Sequence, residues 1–244
     1  VSKLDQLQLI SNDNIFYNGT CTLRHTTLED VKKIGFVKYN EYLNVLHLDV
    51  ELYNDQFGSK FNSDSISIFD ILSNNQSLRG FLCEALSFFI VENVFYEPKY
   101  SAFKVDGDKT TNVLGIINRN NYSEIANGIL QLNFIKDDEI APEETKNSKL
   151  KNILKKFKKG RAKLAKSKTG DSNINIPNMI SSIVAYGNNY NYENIWSLTV
   201  YQLYDLFFRL NVKTQLDITG LRWAAWGKDE FDFSVWYKDP TKKK

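Results

Sequence analysis

Apolar residues recur at helical spacing through most of this chain and alternate in only a few short stretches. The clearest helical pattern lies between Asn191 and Gly227. There Ile195, Leu198, the Thr199 methyl, Leu203, Leu206, Phe207 and Leu210 form a stripe flanked by Trp196, Tyr201, Tyr204 and Phe208. Asn194 is placed to accept a bond from an unpaired N–H at the helix start, and the polar run beginning at Asn211 marks its end. A second helix, from Thr214 or Asp217 to Ala225, is expected to fold back so that Leu216, Leu221, Trp223 and Trp226 pack on the first.

Earlier in the chain, the first dozen residues show no clean period and read as an arm that packs on the body or on a neighbour. Asn14 to Leu23 surrounds an Asn18-Gly19 pair, the favoured two-residue hairpin turn, and predicts two short strands. Thr26 and Glu29 form a capping box ahead of a helix at Val31 to Ile34, which resumes after Gly35 as Tyr39 to Leu52. Helical spacing returns through Phe69, Ile71 and Leu72, breaks at Asn74-Asn75, and runs from Leu78 to Phe95 with little polar face, so this helix should be buried on most sides. An Asp106-Gly107 turn separates Phe103–Val105 from Thr111–Ile117, the strongest hairpin signal present. Tyr122 to Leu132 is helical, and Pro177 opens a further helix through Met179, Ile180, Ile183, Val184 and Tyr186 that Gly187 ends.

These elements predict a mainly α protein with a minor β component (α+β), with N-terminal hairpins and helical hairpins toward the C-terminus. The 244 residues, 42% hydrophobic, are ample for an independent core. The two cysteines, Cys21 and Cys83, fit no metal or disulfide pattern and read as free thiols. No run approaches the 18 apolar residues of a spanning helix, and the first residues lack the pattern of a secretion signal.

Charge changes the picture at one place. Lys146 to Lys168 holds ten lysines and Arg161 with no acid. Removing these eleven cations from the formal net charge of +2 leaves −9 on the remainder. Leu150, Ile153, Leu154, Phe157 and Leu164 recur within it at helical spacing. The expected organisation is therefore an N-terminal α+β region (1–140), a basic helical connector (141–172), and a C-terminal helical region with a short extended tail (173–244). Lys149, Lys151, Lys155, Lys156, Lys158, Lys159, Arg161, Lys163, Lys166 and Lys168 are the candidate contacts to a protein partner or nucleic acid. A solvated face packed on the acidic body competes with that reading, and the preference for lysine over arginine argues against bidentate base recognition.

Chemistry is sparse. His25 and His47 supply neither a triad nor a metal set, and both GxGxxG and GxxxxGK[ST] are absent. Many carboxylates are present, but nothing pairs two of them as acid and base. The run Phe-Asp-Phe-Ser-Val suggests a short strand or extended segment, and Phe231, Phe233, Trp236 and Tyr237 are candidate interface aromatics. No catalytic, cofactor-binding or metal-ligating residue is assigned, no cofactor is expected, and the chain is expected not to be an enzyme.

The string IWSLTVYQLYDLFFRL at Ile195 to Leu210, followed by RWAAWG at Arg222 to Gly227, resembles the ends of small proteins encoded among the tail genes of bacteriophages that infect Gram-positive hosts, including tail-assembly-chaperone-like proteins. The resemblance lies in the C-terminal fifth of the chain. It implies a non-enzymatic virion or morphogenesis protein, with other phage structural or assembly proteins as partners, in the virion or the host cytoplasm. The basic segment has no counterpart in that pattern and sustains the alternative of a nucleic-acid-binding protein.

Overall fold

A computed structural model describes residues 4–17, 19–63, 65–107, 113–135, 175–186, 189–227 and 232–237. The first described residue, Leu4, is buried and donates its N–H to Gln131 Oε1 at 3.0 Å. Helix α1 (Gln6–Ile10) follows, opened by a reciprocal box between Asp5 and Gln8. The expected arm thus packs on the body and contains a helix.

Strands β1 (Ile15–Tyr17) and β2 (Cys21–Leu23) pair antiparallel, with Tyr17 opposite Cys21 and the turn closed by the Thr20 N–H on the Tyr17 carbonyl. Three residues, rather than two, separate the paired ends. Alternation sends Tyr17, Cys21 and Leu23 inward and leaves Phe16 in solvent.

Four capped helices and a fifth that starts at a glycine come next. Helix α2 (Leu28–Ile34) is capped by Thr27 with Asp30, one residue later than the Thr26–Glu29 spacing suggests. Gly35, at φ 86°, ends α2 and admits the sharp turn into α3 (Phe36–His47). The expected continuous helix to Leu52 divides here, because the Asp49 carboxylate caps a separate α4 (Val50–Phe57). Helix α5 (Ile68–Asn74) begins at a Ser67–Asp70 box, and Asn75 caps α6 (Gln76–Phe89). Helix α6 stops well short of Phe95. Ile90 is extended, Val91 donates its N–H to the Thr22 carbonyl, and Arg24 donates to Phe89, so this exit continues the pairing of β2.

The freed residues form β3 (Asn93–Glu97), which joins β4 (Ala102–Asp106) and β5 (Val113–Ile117) in a three-stranded antiparallel meander. β3 escaped the sequence reading because it follows a buried helix whose apolar run passes into the strand without a break. Gly115 on β5 lies against the β1–β2 turn, where a Cβ would come 2.4 Å from the Thr20 carbonyl oxygen, so only glycine fits this contact. Helix α7 (Tyr122–Leu132) then crosses the core as expected. The side-chain amide of Asn121, the residue before it, accepts from the Asn118 N–H and donates to the Ile116 carbonyl and makes no capping bond.

The C-terminal elements are α8 (Ile176–Tyr186), a 3-10 turn at Ile195–Ser197, α9 (Val200–Trp226) and a second 3-10 turn at Phe233–Tyr237. The fold is mainly helical with two small antiparallel sheets, an α+β protein. Tyr39, Leu72, Leu82, Phe89, Phe103, Tyr122 and Ile125 centre its core. The same hydrophobic cluster takes in Ile176, Met179, Ile183, Ile195, Val200 and Leu203. Residues 26–28 and 198–200 also meet in a short bridge, with the Leu28 N–H on the Leu198 carbonyl and the Val200 N–H on the Thr26 carbonyl, both at 2.9 Å. The expected connector 141–172 lies outside the described residues, and the described chain on its two sides shares one core.

Candidate protein-binding surface

Helix α9 replaces the expected helical hairpin. Asn194 does not cap it, because its amide is used by the loop before it, accepting from the Asn191 N–H and donating to the Asn189 carbonyl. Thr199 is the cap, in a reciprocal box with Gln202. The polar run from Asn211 does not end the helix. Thr214 and Thr219 return their hydroxyls to the carbonyls of Leu210 and Gln215, and Lys213 pairs with Asp217 one turn on. These side chains are satisfied on the helix, so they do not compete with its backbone. Helix α9 ends only at Gly227, left-handed at φ 60°, whose N–H bonds the Trp223 carbonyl.

At 27 residues the helix is about 40 Å long. Its first turns are fixed to the body. Val200, Tyr201 and Leu203 are buried, and Gln202 Nε2 holds α1 by donating to the Ile10 carbonyl and to Asn12 Oδ1. Phe134, at the exit of α7, stacks on Tyr204 (4.8 Å, 11°) and Phe208 (5.6 Å, 20°) and tilts against Tyr201. It does so from a left-handed φ of 61°, with the Ile135 N–H reaching back to the Leu130 carbonyl, a helix end that normally uses glycine. Beneath it the Tyr39 hydroxyl donates to Asn133 Oδ1 at 2.8 Å, and burial pushes the Tyr39 phenol well above its ordinary pKa.

Beyond Leu203 no residue of α9 is fully buried. Leu206 and Phe207 are half-buried and pack against the core from its edge, and Leu210 is half-buried. Ile218 is 53% exposed, Leu221 72%, Trp223 51% and Trp226 68%, and every residue from Leu221 to Gly227 is exposed. The residues expected to fold back on the first helix instead form an apolar projection. The 3-10 turn Phe233–Tyr237 packs back on α9 and adds exposed Trp236 and Tyr237.

Of the candidate interface aromatics, Trp236 and Tyr237 are therefore on the surface beside α9. Phe231 lies outside the described residues, and of Phe233 only the backbone is described. Their segment is a turn rather than a strand, opened by the Ser234 N–H on Asp232 Oδ1. Lys149, Lys151, Lys155, Lys156, Lys158, Lys159, Arg161, Lys163, Lys166 and Lys168 all lie outside the described residues. Ile218, Leu221, Trp223 and Trp226 were not expected on the surface. A signal for them was present: apolar residues occur on opposite sides of the same helix, and one partner helix covers only one side.

Residues 165–240 match the family model described as YomV second domain. That match covers less than half of the chain but spans α8, α9, which carries this surface, and the turn at 233–237 that packs on it. No curated protein and no solved structure matches the chain.

Among the described residues no three His, Cys, Asp or Glu side chains are placed to hold a metal ion. Burial pushes the Cys21 thiol up to about 12, with Glu92 adding to the effect, and also raises Cys83; neither is poised as a thiolate. His25 is buried, neither ring nitrogen has a well-formed hydrogen bond among the described residues, and burial holds it below its ordinary pKa against smaller opposing effects of the nearby Gln8 backbone and the Asp13 charge. His47, at the end of α3, is exposed. Among the described helices none is long and apolar enough to cross a membrane.

Proposed function

We propose that this protein acts through protein–protein contacts rather than catalysis, as a structural or morphogenesis component of a bacteriophage. The observation that carries the contact reading is the distal half of α9, where Leu221, Trp223 and Trp226 stand in solvent at the end of a helix whose other end is fixed in the core. Exposed tryptophans on a rigid, well-capped element lose little conformational freedom on binding, and such residues dominate interface energetics. The phage assignment draws on the resemblance of residues 195–227 to tail-region proteins.

Fractionation of particles and assembly intermediates from phage-producing cells tests it. The chain is expected in one of those fractions, bound to an identifiable phage protein, and the W223E/W226E double variant is expected to leave it. A chain absent from both fractions overturns the assignment. The competing nucleic-acid reading draws on the eleven cations between Lys146 and Lys168. It requires affinity to fall steeply with salt, by a logarithmic slope of about 0.9 for each duplex phosphate contacted.

A further inference from the structure

Distal α9 has two apolar faces, and they differ in shape. Val212, Leu216, Thr219, Trp223 and Trp226 follow one another at alternating spacings of four and three, which keeps them on one side of the helix. Thr214, Ile218, Leu221 and Ala225 follow the same spacing on the opposite side. The first face ends in two large rings, while the second is built from branched and small residues, with Ala224 beside it. The charged residues near them do not interrupt either face: Lys213 and Asp217 neutralise each other along one flank.

A helix apolar on both sides is stable when it lies between two others. The tryptophan face matches the leucine face in shape better than it matches itself, since large side chains pack best against small ones. Every copy of the chain carries both faces. Resting on the contact reading above, we infer that distal α9 assembles copies of this chain head to tail, the tryptophan face of one copy against the leucine face of the next, into a closed helical bundle of three or more chains.

The area supports closure. Trp223, Trp226, Trp236 and Tyr237 are 51%, 68%, 38% and 77% exposed. At 150–250 Å² per aromatic side chain they leave on the order of 350–600 Å² in water. That already equals the largest apolar patch of an ordinary monomer, about 300–600 Å². Even taken together as one face, this area falls below the roughly 800 Å² that each partner contributes to a standard interface, so a single pair is weak and a ring that holds each helix twice is favoured.

Native mass measurement on the full chain at high micromolar concentration tests this. Wild type is expected as a species of at least three chains. The variants W223E/W226E and I218E/L221E each spoil one face at exposed positions, so each should keep the wild-type circular dichroism and run as a monomer. Mixed together they retain one intact face of each kind and should form one-to-one pairs and nothing larger. A monomeric wild type, an unchanged assembly of the I218E/L221E variant, or mixed assemblies beyond pairs overturns the inference. Its failure is separable from that of the contact reading. A monomeric wild type whose W223E/W226E variant loses its phage-protein partner sinks only the self-assembly. An oligomer whose variant keeps that partner sinks only the partner assignment.

Discussion

The two halves of α9 are alike in composition and opposite in situation. Val200 to Phe208 and Leu216 to Trp226 are both rich in leucine and aromatic residues, and both belong to one unbroken helix. The proximal half meets the bridge at residues 26–28, the Gln202 contacts to α1 and the ring of Phe134. The distal half extends past these contacts into solvent. An apolar pattern shows that a segment gains by burial, but what buries it depends on which other elements reach it.

The largest test of this comparison is Leu203→Ala. Leu203 has no exposed surface, so deleting its side chain leaves a cavity and should cost about 2–5 kcal/mol in chemical unfolding. Leu206→Ala should cost less, because Leu206 is only half-buried. Equal costs at the two positions would mean that the body grips the helix further along than the burial pattern indicates.

Phe134→Gly sharpens the same boundary. Glycine relieves the left-handed backbone, worth about 1–2 kcal/mol, but removes ring contacts to Tyr201, Tyr204 and Phe208, each worth about 0.5–1.5 kcal/mol beyond area burial. These two effects leave a net loss of about 1–2 kcal/mol, to which the lost burial of the ring adds. A gain in stability would show that the rings do not anchor α9.

His25 reports on the anchored side through pH, because it lies between β2 and the bridge to α9. Its folded pKa lies below the ordinary 6.5, so the unfolded chain takes up the proton first as pH falls. Its contribution is therefore whole above about pH 6.5, is lost as pH falls from there through the folded pKa, and is constant below that. His25→Phe should flatten the stability profile between neutral and mildly acid pH relative to wild type. Parallel profiles would place the proton-sensitive group elsewhere.

Much of the fold was legible in local chemistry. The β4–β5 hairpin, the helix at Tyr122–Leu132 and the helix at Ile176–Tyr186, with Pro177 in its first turn, all stand where the apolar period and the chain breakers beside it indicate. The failures share a cause. Thr27 and Thr199 took the capping roles expected of Thr26 and Asn194, because neighbouring side chains had to choose between a helix end and a loop. Strand β3 was hidden behind the apolar run of α6, since burial on several sides erases the period that separates helix from strand. The candidate surface was misread for the complementary reason. Asn211 to Thr214 carries polar residues that look like a stop, yet their side chains bond within the helix or face water, and nothing in their spacing told which.

The smallest expected effect lies at the far end of the comparison. Leu221 is 72% exposed, so truncating it removes little packed surface, and Leu221→Ala should change unfolding free energy by no more than about 0.5 kcal/mol. Alanine is also the better helix former, so the sign can favour the variant slightly. The same substitution should still weaken association, because a side chain that is idle in the isolated chain becomes buried once a neighbouring helix covers it. Unfolding and native mass measured on one sample across a dilution series separate the two effects. Stability that depends on protein concentration in wild type, and loses that dependence in Leu221→Ala, places the residue at an interface. A loss above about 2 kcal/mol that is independent of concentration would instead put Leu221 in an intramolecular core. The two halves of α9 would then be equally buried, and the contrast between them would fall.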